Sequence, residues 1–414
     1  MFTRAWKFTA LLLAVVIFVS GCQPTATPSP LPTPTVAPTE VTEQTETEPT
    51  GPVEIVPPTE QAVCEVISEA VEPSAVTEKD WVEGASEEDA ELTIIEFADF
   101  QCPGCAGMAP VMTAFLEAHP EARLVYRHFP LSFHDKAELT AEAAEAAGAQ
   151  GKFWEMYDLL YTRASEWNGL SVEEARTKMS EYAEELELDV KQFDTELDED
   201  THLAKIQANA AEAAELGLPG TPTYIFNGQV FPSDMGLSYQ ALEAFISILD
   251  LEDRQYAEIP EMTVDTEKSY EATIATTQGD IVVELFPESA PTLVNTLIFL
   301  AEEGWYKDSP FFFVQNNYAA VSGDPSGTGY GHPGYYCMGE TQGTIDRPGL
   351  MGMTPTGQFF ITLGTDAAAL NGSFALVGQV TEGLDVAKAL TEVIPGDPTS
   401  PEPDMVKNIT ILEK

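Results

Sequence analysis

Stretches whose apolar spacing demands a packing partner alternate along this chain with stretches that bury nothing. Phe8 to Val19 is an apolar run behind Arg4 and Lys7. It is too short to cross a bilayer at about 1.5 Å per residue but sufficient for a signal-peptide core. From Gln23 to about Glu78 the chain is rich in Pro, Thr and Glu with almost no aromatic residues, so it cannot offset the entropy of ordering and reads as an extended tether. Leu92 to Asp99 (LTIIEFAD) predicts a strand, and Met108, Met112, Phe115 and Leu116 follow at helical spacing. Ala137 to about Gly217 is Ala- and Glu-rich with helical periodicity, and its aromatics Phe153, Trp154 and Tyr157 read as core. Tyr224 to Phe226 predicts a strand closed by an Asn227 and Gly228 turn. Acidic and Pro-containing residues from Leu251 to about Val264 predict a linker, after which two strands meet at Gly279 and Asp280 and a helix is opened by Ser289 and Pro291. The expected division is a leader over 1–21, a tether over 22–80, a folded domain over 81–250, a linker over 251–266 and a second folded domain over 267–414.

Composition narrows the function classes. A 414-residue chain with 44% hydrophobic and 21% charged residues is globular in character and long enough for two or three domains. Its 19 Lys and Arg face 68 Asp and Glu, a net charge of −49. Such a surface repels phosphate backbones and anionic headgroups, so nucleic acid is not an expected partner. The acidity reads as solubility or a saline habitat.

The leader ends in VSGC, Val19 to Cys22, which resembles a bacterial lipobox. The resemblance implies cleavage after Gly21, lipidation of Cys22 and an extracytoplasmic protein anchored by lipid to the bacterial cell membrane. Disulfides persist in that compartment. Of the five cysteines, Cys64 and Cys337 remain once Cys22 carries lipid and Cys102 and Cys105 form a pair. They could bridge, or Cys64 could be free on the tether, because spacing does not establish connectivity.

The motif CPGC at 102–105 lies between a predicted strand and a predicted helix. There the first cysteine meets unpaired backbone N–H groups and the positive end of the helix dipole, which lower a thiol pKa. Cys102 is thus the expected nucleophile and Cys105 the resolving thiol. A zinc site would need a second Cys or His pair, and His119, His128 and His134 lack ligand spacing. No metal or organic cofactor is expected. Together EFADFQCPGC, VYRHFPL at 125–131 and GTPTYIFNG resemble the DsbA-like branch of the thioredoxin superfamily. The resemblance implies an α/β thioredoxin fold with a helical insertion, a reversible Cys102–Cys105 disulfide and a cis Pro222 beside it. It also implies that the Thr221 backbone pairs with an extended substrate chain, and that Glu96 is a buried carboxylate relaying the Cys105 proton rather than a solvent-facing one. Neither Pro103 nor Gly104 offers a side chain to the thiolate, so the expected potential lies below that of the strongest periplasmic oxidants.

In the last third, SGDPSGTGYGHPGY at 322–335, GQFFIT at 357–362 and LNGSFALVGQVTEGLDV at 370–386 resemble, in that order, the cyclophilin family of peptidyl-prolyl isomerases. The resemblance implies an all-β, eight-stranded closed antiparallel barrel with two helices. Its catalytic arginine and glutamine positions hold Phe313 and Val321, and its later tryptophan and histidine positions hold Ala369 and Phe374. Gln358, Phe360, Leu370 and Tyr318 are retained as pocket residues that could hold a prolyl or apolar side chain. The expected whole is a membrane-tethered thiol–disulfide oxidoreductase acting on unfolded or disulfide-containing secreted proteins, with an unidentified membrane redox partner. The alternatives are a prolyl isomerase with an accessory thioredoxin part, and a non-enzymatic holdase.

Overall fold

A computed structural model describes residues 52–67, 70–397 and 399–414. The signal-peptide run, Cys22 and the tether up to residue 51 lie outside the described residues.

The described part of the expected tether is not free. Its strand β1 (Val63–Val66) pairs antiparallel with a strand at 335–338, and a disulfide joins Cys64 to Cys337 across that pair. Farther on, the Val71 amide donates to Gly228 O at 2.8 Å and the Ser74 amide to a Glu212 carboxylate at 2.6 Å. Buried Arg127 holds Ser74 O at 2.8 Å while pairing with Asp80 and Glu212. Composition alone misses this, because the segment has no core of its own and borrows the cores it crosses.

The first domain is a five-stranded sheet in the order β2-β4-β3-β5-β6. Its strands are β2 (Trp81–Gly84), β3 (Leu92–Ala98), β4 (Ala122–His128), β5 (Thr223–Phe226) and β6 (Gln229–Val230), with β3 and β4 parallel and the other pairs antiparallel. Helix α1 (Pro103–Ala118) packs Met108, Met112 and Phe115 against Ile94, Leu124 and Phe226 of the sheet. The insertion contains α2 (Ala137–Gly148), α3 (Phe153–Thr162), α4 (Ala164–Trp167), α5 (Val172–Glu185), α6 (Val190–Asp198) and α7 (Leu203–Glu215), and α8 (Tyr239–Leu249) closes the domain. Phe153 and Tyr157 are buried and Trp154 is half-buried, in the core role expected for them. Trp81 stacks on Phe153 at 4.6 Å, and a Cβ at Gly148 would lie 2.2 Å from the Trp81 ring, so only glycine fits there.

The expected linker is docked on the second domain. Leu251 is buried in that core, the Arg254 guanidinium donates to Trp305 O at 2.7 Å, and the Tyr256 amide donates to Pro333 O at 2.8 Å. The second domain is one curled antiparallel sheet of nine strands. They are β7 (Tyr270–Thr276), β8 (Asp280–Leu285), β9 (Ser309–Pro310), β10 (Phe313–Val314), β11 (Ala319–Ser322), β13 (Leu350–Met353), β14 (Phe359–Thr362), β15 (Ala375–Glu382) and β16 (Met405–Glu413), while β12 (Tyr335–Met338) pairs with β1. The expected eight-stranded closed barrel becomes nine strands because segment 309–314 is broken at Phe311 and Phe312. Its two halves, β9 and β10, form the opposite edges of the sheet, so the chain itself spans the seam. The two helices are α9 (Pro291–Glu302) and α10 (Leu384–Lys388). Pro291 takes the first helical position as expected, but Ser289 is not the cap. Glu340 caps the helix from 47 residues away, accepting from the Leu293 amide at 3.1 Å and from that of Thr292.

Candidate active site

Strand β3 delivers the chain to a turn held by Asp99. This buried carboxylate accepts from the amides of Gln101 at 2.8 Å and Leu131 at 2.9 Å, and lies 2.7 Å from His134 Nδ1. The Cys102 amide donates to Asp99 O at 2.9 Å, which leaves Cys102 as the N-cap of α1, with Pro103 in the first turn. Cys102 is 8% exposed and Cys105 fully buried, both as free thiols. The thiol of Cys102 lies 3.3 Å from Thr221 O, immediately before the cis Thr221–Pro222 bond. A Cβ at Gly104 would stand 3.1 Å from Pro222 Cδ and 3.6 Å from the Cys102 sulfur, so glycine lets the two loops meet.

The two thiols are driven apart in acidity. A hydrogen bond from the Cys105 side chain is the main cause that lowers the Cys102 pKa to about 5, against the opposing effect of burial. The backbone N–H groups of Cys105 and Gly104 reinforce it. Burial pushes Cys105 far above the usual thiol range, helped by its bond to Cys102 and by the charge of Glu96.

Glu96 is fully buried, as expected, and burial raises its carboxyl to about 7 against the lowering effect of a hydrogen bond from Tyr224. Tyr224 on β5 and Tyr126 on β4 are its register partners on the two neighbouring strands, and the charge of Glu96 also acts on Tyr157 and Tyr161 of α3. Sequence reasoning missed Tyr126, Tyr161 and Tyr224 as site residues. The available signal was Tyr224 two places after Pro222, on the strand that the motif itself announces.

In the second domain, Phe313 faces Val321 across β10 and β11, and Val321 faces Phe360 across β11 and β14. Tyr318 meets the Phe313 ring edge-on at 5.9 Å, and Phe374 meets Phe360 at 5.5 Å. Phe360 and Leu370 are buried. Gln358 Nε2 donates to Gly329 O at 2.9 Å and Gly331 O at 3.1 Å, so its amide protons brace the glycine-rich loop. Buried Asp324 organises the same loop, accepting from the amides of Ser326, Gly329 and Gly331.

Residues 77–247 match the family model described as thioredoxin, and residues 271–413 match that of cyclophilin-type peptidyl-prolyl cis-trans isomerases. The chain joins a thioredoxin-like domain to a cyclophilin-type domain. Among solved structures, a thioredoxin-like oxidoreductase from Silicibacter pomeroyi DSS-3 is similar at 26% identity, covering 42% of this chain and 94% of that one with a TM-score of 0.35. A cyclophilin-type isomerase from Cryptosporidium parvum is similar at 24% identity, covering 35% of this chain and 99% of that one with a TM-score of 0.30. The Na(+)/H(+) antiporter NhaA 3 of Salinispora tropica is 38% identical over 154 residues, which are 37% of this chain and 22% of the antiporter. The chain thus spans about a fifth of the length of the curated relatives it matches. Among the described residues no helix is long and apolar enough to cross a membrane.

The chemistry open to the two domains differs. The thioredoxin-like domain holds an acidic, barely exposed thiol beside a buried thiol and a buried carboxyl. The cyclophilin-type domain has only hydrocarbon side chains at positions 313 and 321, which face each other across β10 and β11.

Proposed function

We propose that this chain is an extracytoplasmic, lipid-tethered thiol–disulfide oxidoreductase that acts on secreted proteins. The placement of Cys102 as the N-cap of a helix, with its thiol 3.3 Å from Thr221 O, carries the reading. The Cys102 thiolate attacks one sulfur of a substrate disulfide and the other leaves as a thiol, forming a mixed disulfide. Cys105 gives its proton to Glu96 and its sulfur attacks Cys102, releasing the second substrate thiol. Two electrons pass from the Cys102–Cys105 dithiol to the substrate, and run the other way when the oxidised pair meets a substrate dithiol. A substrate strand adds to the Thr221 backbone by β-pairing. The cyclophilin-type domain holds apolar or prolyl segments of the client rather than turning them over. Lipidated Cys22 keeps the enzyme at the membrane, where a redox partner resets the pair.

Cys102→Ser tests the reading. Insulin reduction and the reactivation of scrambled ribonuclease by the full chain should fall to background, and activity equal to the unsubstituted protein would dismiss the redox role.

A further inference from the structure

Glu96 has an unusual set of neighbours for a group that must ionise. Its side chain is fully buried, with one oxygen accepting from the Tyr224 hydroxyl at 3.0 Å and the other without a hydrogen-bond partner among the described residues. The titratable groups around it are Tyr126 from β4, Tyr157 and Tyr161 from α3, Tyr224 from β5 and Cys105 from α1. None is a cation, so no opposite charge among the described residues stabilises the carboxylate. Tyr126 and Tyr161 turn their hydroxyls to each other at 3.3 Å. That leaves Tyr224 as the described donor to Glu96, fixed there because the two residues are register partners across β3 and β5. Because Tyr224 is two residues beyond Pro222, one short strand carries both the loop against Cys102 and the donor to Glu96.

We propose that Tyr224 is a positioning residue for proton transfer: its hydroxyl holds Glu96 in an ionisable state with its free oxygen available to take the Cys105 proton. The inference rests on the redox reading above. In the step concerned, the Cys105 S–H proton moves to Glu96, the freed sulfur bonds to Cys102, and the bond between Cys102 and the outgoing thiol breaks with its electron pair leaving on that thiol. Removing the hydroxyl deprives the carboxylate of its donor and shifts its titration upward by about one pH unit. With Glu96 titrating at about 7 in the native protein, the ionised fraction at neutral pH then falls about five-fold.

The test uses 5,5′-dithiobis(2-nitrobenzoate) with the reduced full-length protein. Cys102 releases one nitrothiobenzoate on forming the mixed disulfide, and Cys105 releases the second on closing the internal disulfide. In Tyr224→Phe the first phase should keep its pH profile, while the second slows about five-fold at pH 7, moves its inflection up by about one unit and rejoins the native rate above pH 9. Tyr126→Phe should leave the second inflection in place. If Tyr224→Phe does not fold, fluorotyrosine at position 224 keeps the ring and strengthens the donor, and should move the inflection downward. A second-phase inflection unmoved by either change overturns the assignment to Tyr224. A first phase that titrates as an ordinary thiol in the native protein overturns the redox reading itself.

Discussion

The acidity of Cys102 has two separable sources, and Cys105→Ala divides them. Alanine removes the side-chain hydrogen bond from Cys105, the leading cause of the lowering to about 5, but keeps the backbone N–H groups of residues 104 and 105. A hydrogen bond to a charged group contributes about 1.5–3 kcal/mol, or about one to two pKa units. Cys102 in the variant should therefore titrate at about 6 to 7, not at the ordinary thiol value. Iodoacetamide alkylation across a pH series, or thiolate absorbance in the ultraviolet, reads this directly, and at pH 6 alkylation should slow about two- to ten-fold. The same acidity bears on the potential. A thiol lowered from 9.0 to about 5 stabilises the folded dithiol fully above pH 9, progressively less down to pH 5, and not at all below it. At pH 7 about two units of that effect remain, near 3 kcal/mol, which makes the disulfide about 60 mV more oxidising than a pair of ordinary thiols. An unchanged pKa in Cys105→Ala would refute the leading role given to the side chain. A return to the ordinary value would refute the contribution of the helix backbone.

Other outcomes follow from the same structure. Burial lifts Glu96 from 4.5 to about 7, so its stabilising protonated form is complete below pH 4.5 and is lost as pH rises through 7. Glu96→Gln should therefore gain about 2–4 kcal/mol over the native protein at pH 8 and little at pH 4, compared by urea unfolding; equal gains at both pH values would contradict this. Breaking the Cys64–Cys337 bridge with the double Ser variant opens a loop of 273 residues in sequence separation and should cost about 2–5 kcal/mol, with faster proteolysis near residue 67; an unchanged unfolding midpoint and cleavage pattern would show that the bridge adds nothing. The cyclophilin resemblance puts Phe313 and Val321 at the donor positions, so prolyl isomerisation by the full chain should run on the order of a hundredfold below an intact cyclophilin, and comparable turnover in a protease-coupled assay would show that another donor serves.

What could be read from the sequence was local. LTIIEFAD leading into CPGC places a cysteine at a helix start, because strand, turn and helix signals lie within about twenty residues and need no distant partner. GTPTYIFNG and the ordered motifs of the last third located the cis-proline strand and the all-β domain by a different route, through their resemblance to known families, each motif being contiguous in the chain. Tertiary structure decided everything that depends on pairs far apart in the chain. Tyr224 meets Glu96 across 128 residues, Glu340 caps α9 across 47, and Cys64 finds Cys337 across 273. The register of β5 against β3, not any spacing, determines that a tyrosine hydroxyl rather than a cation faces the buried carboxyl. Likewise, a Pro- and Thr-rich segment looks unfolded in isolation because its own side chains bury too little. Only the surfaces it crosses supply the strand partner, the disulfide and the buried arginine that hold it.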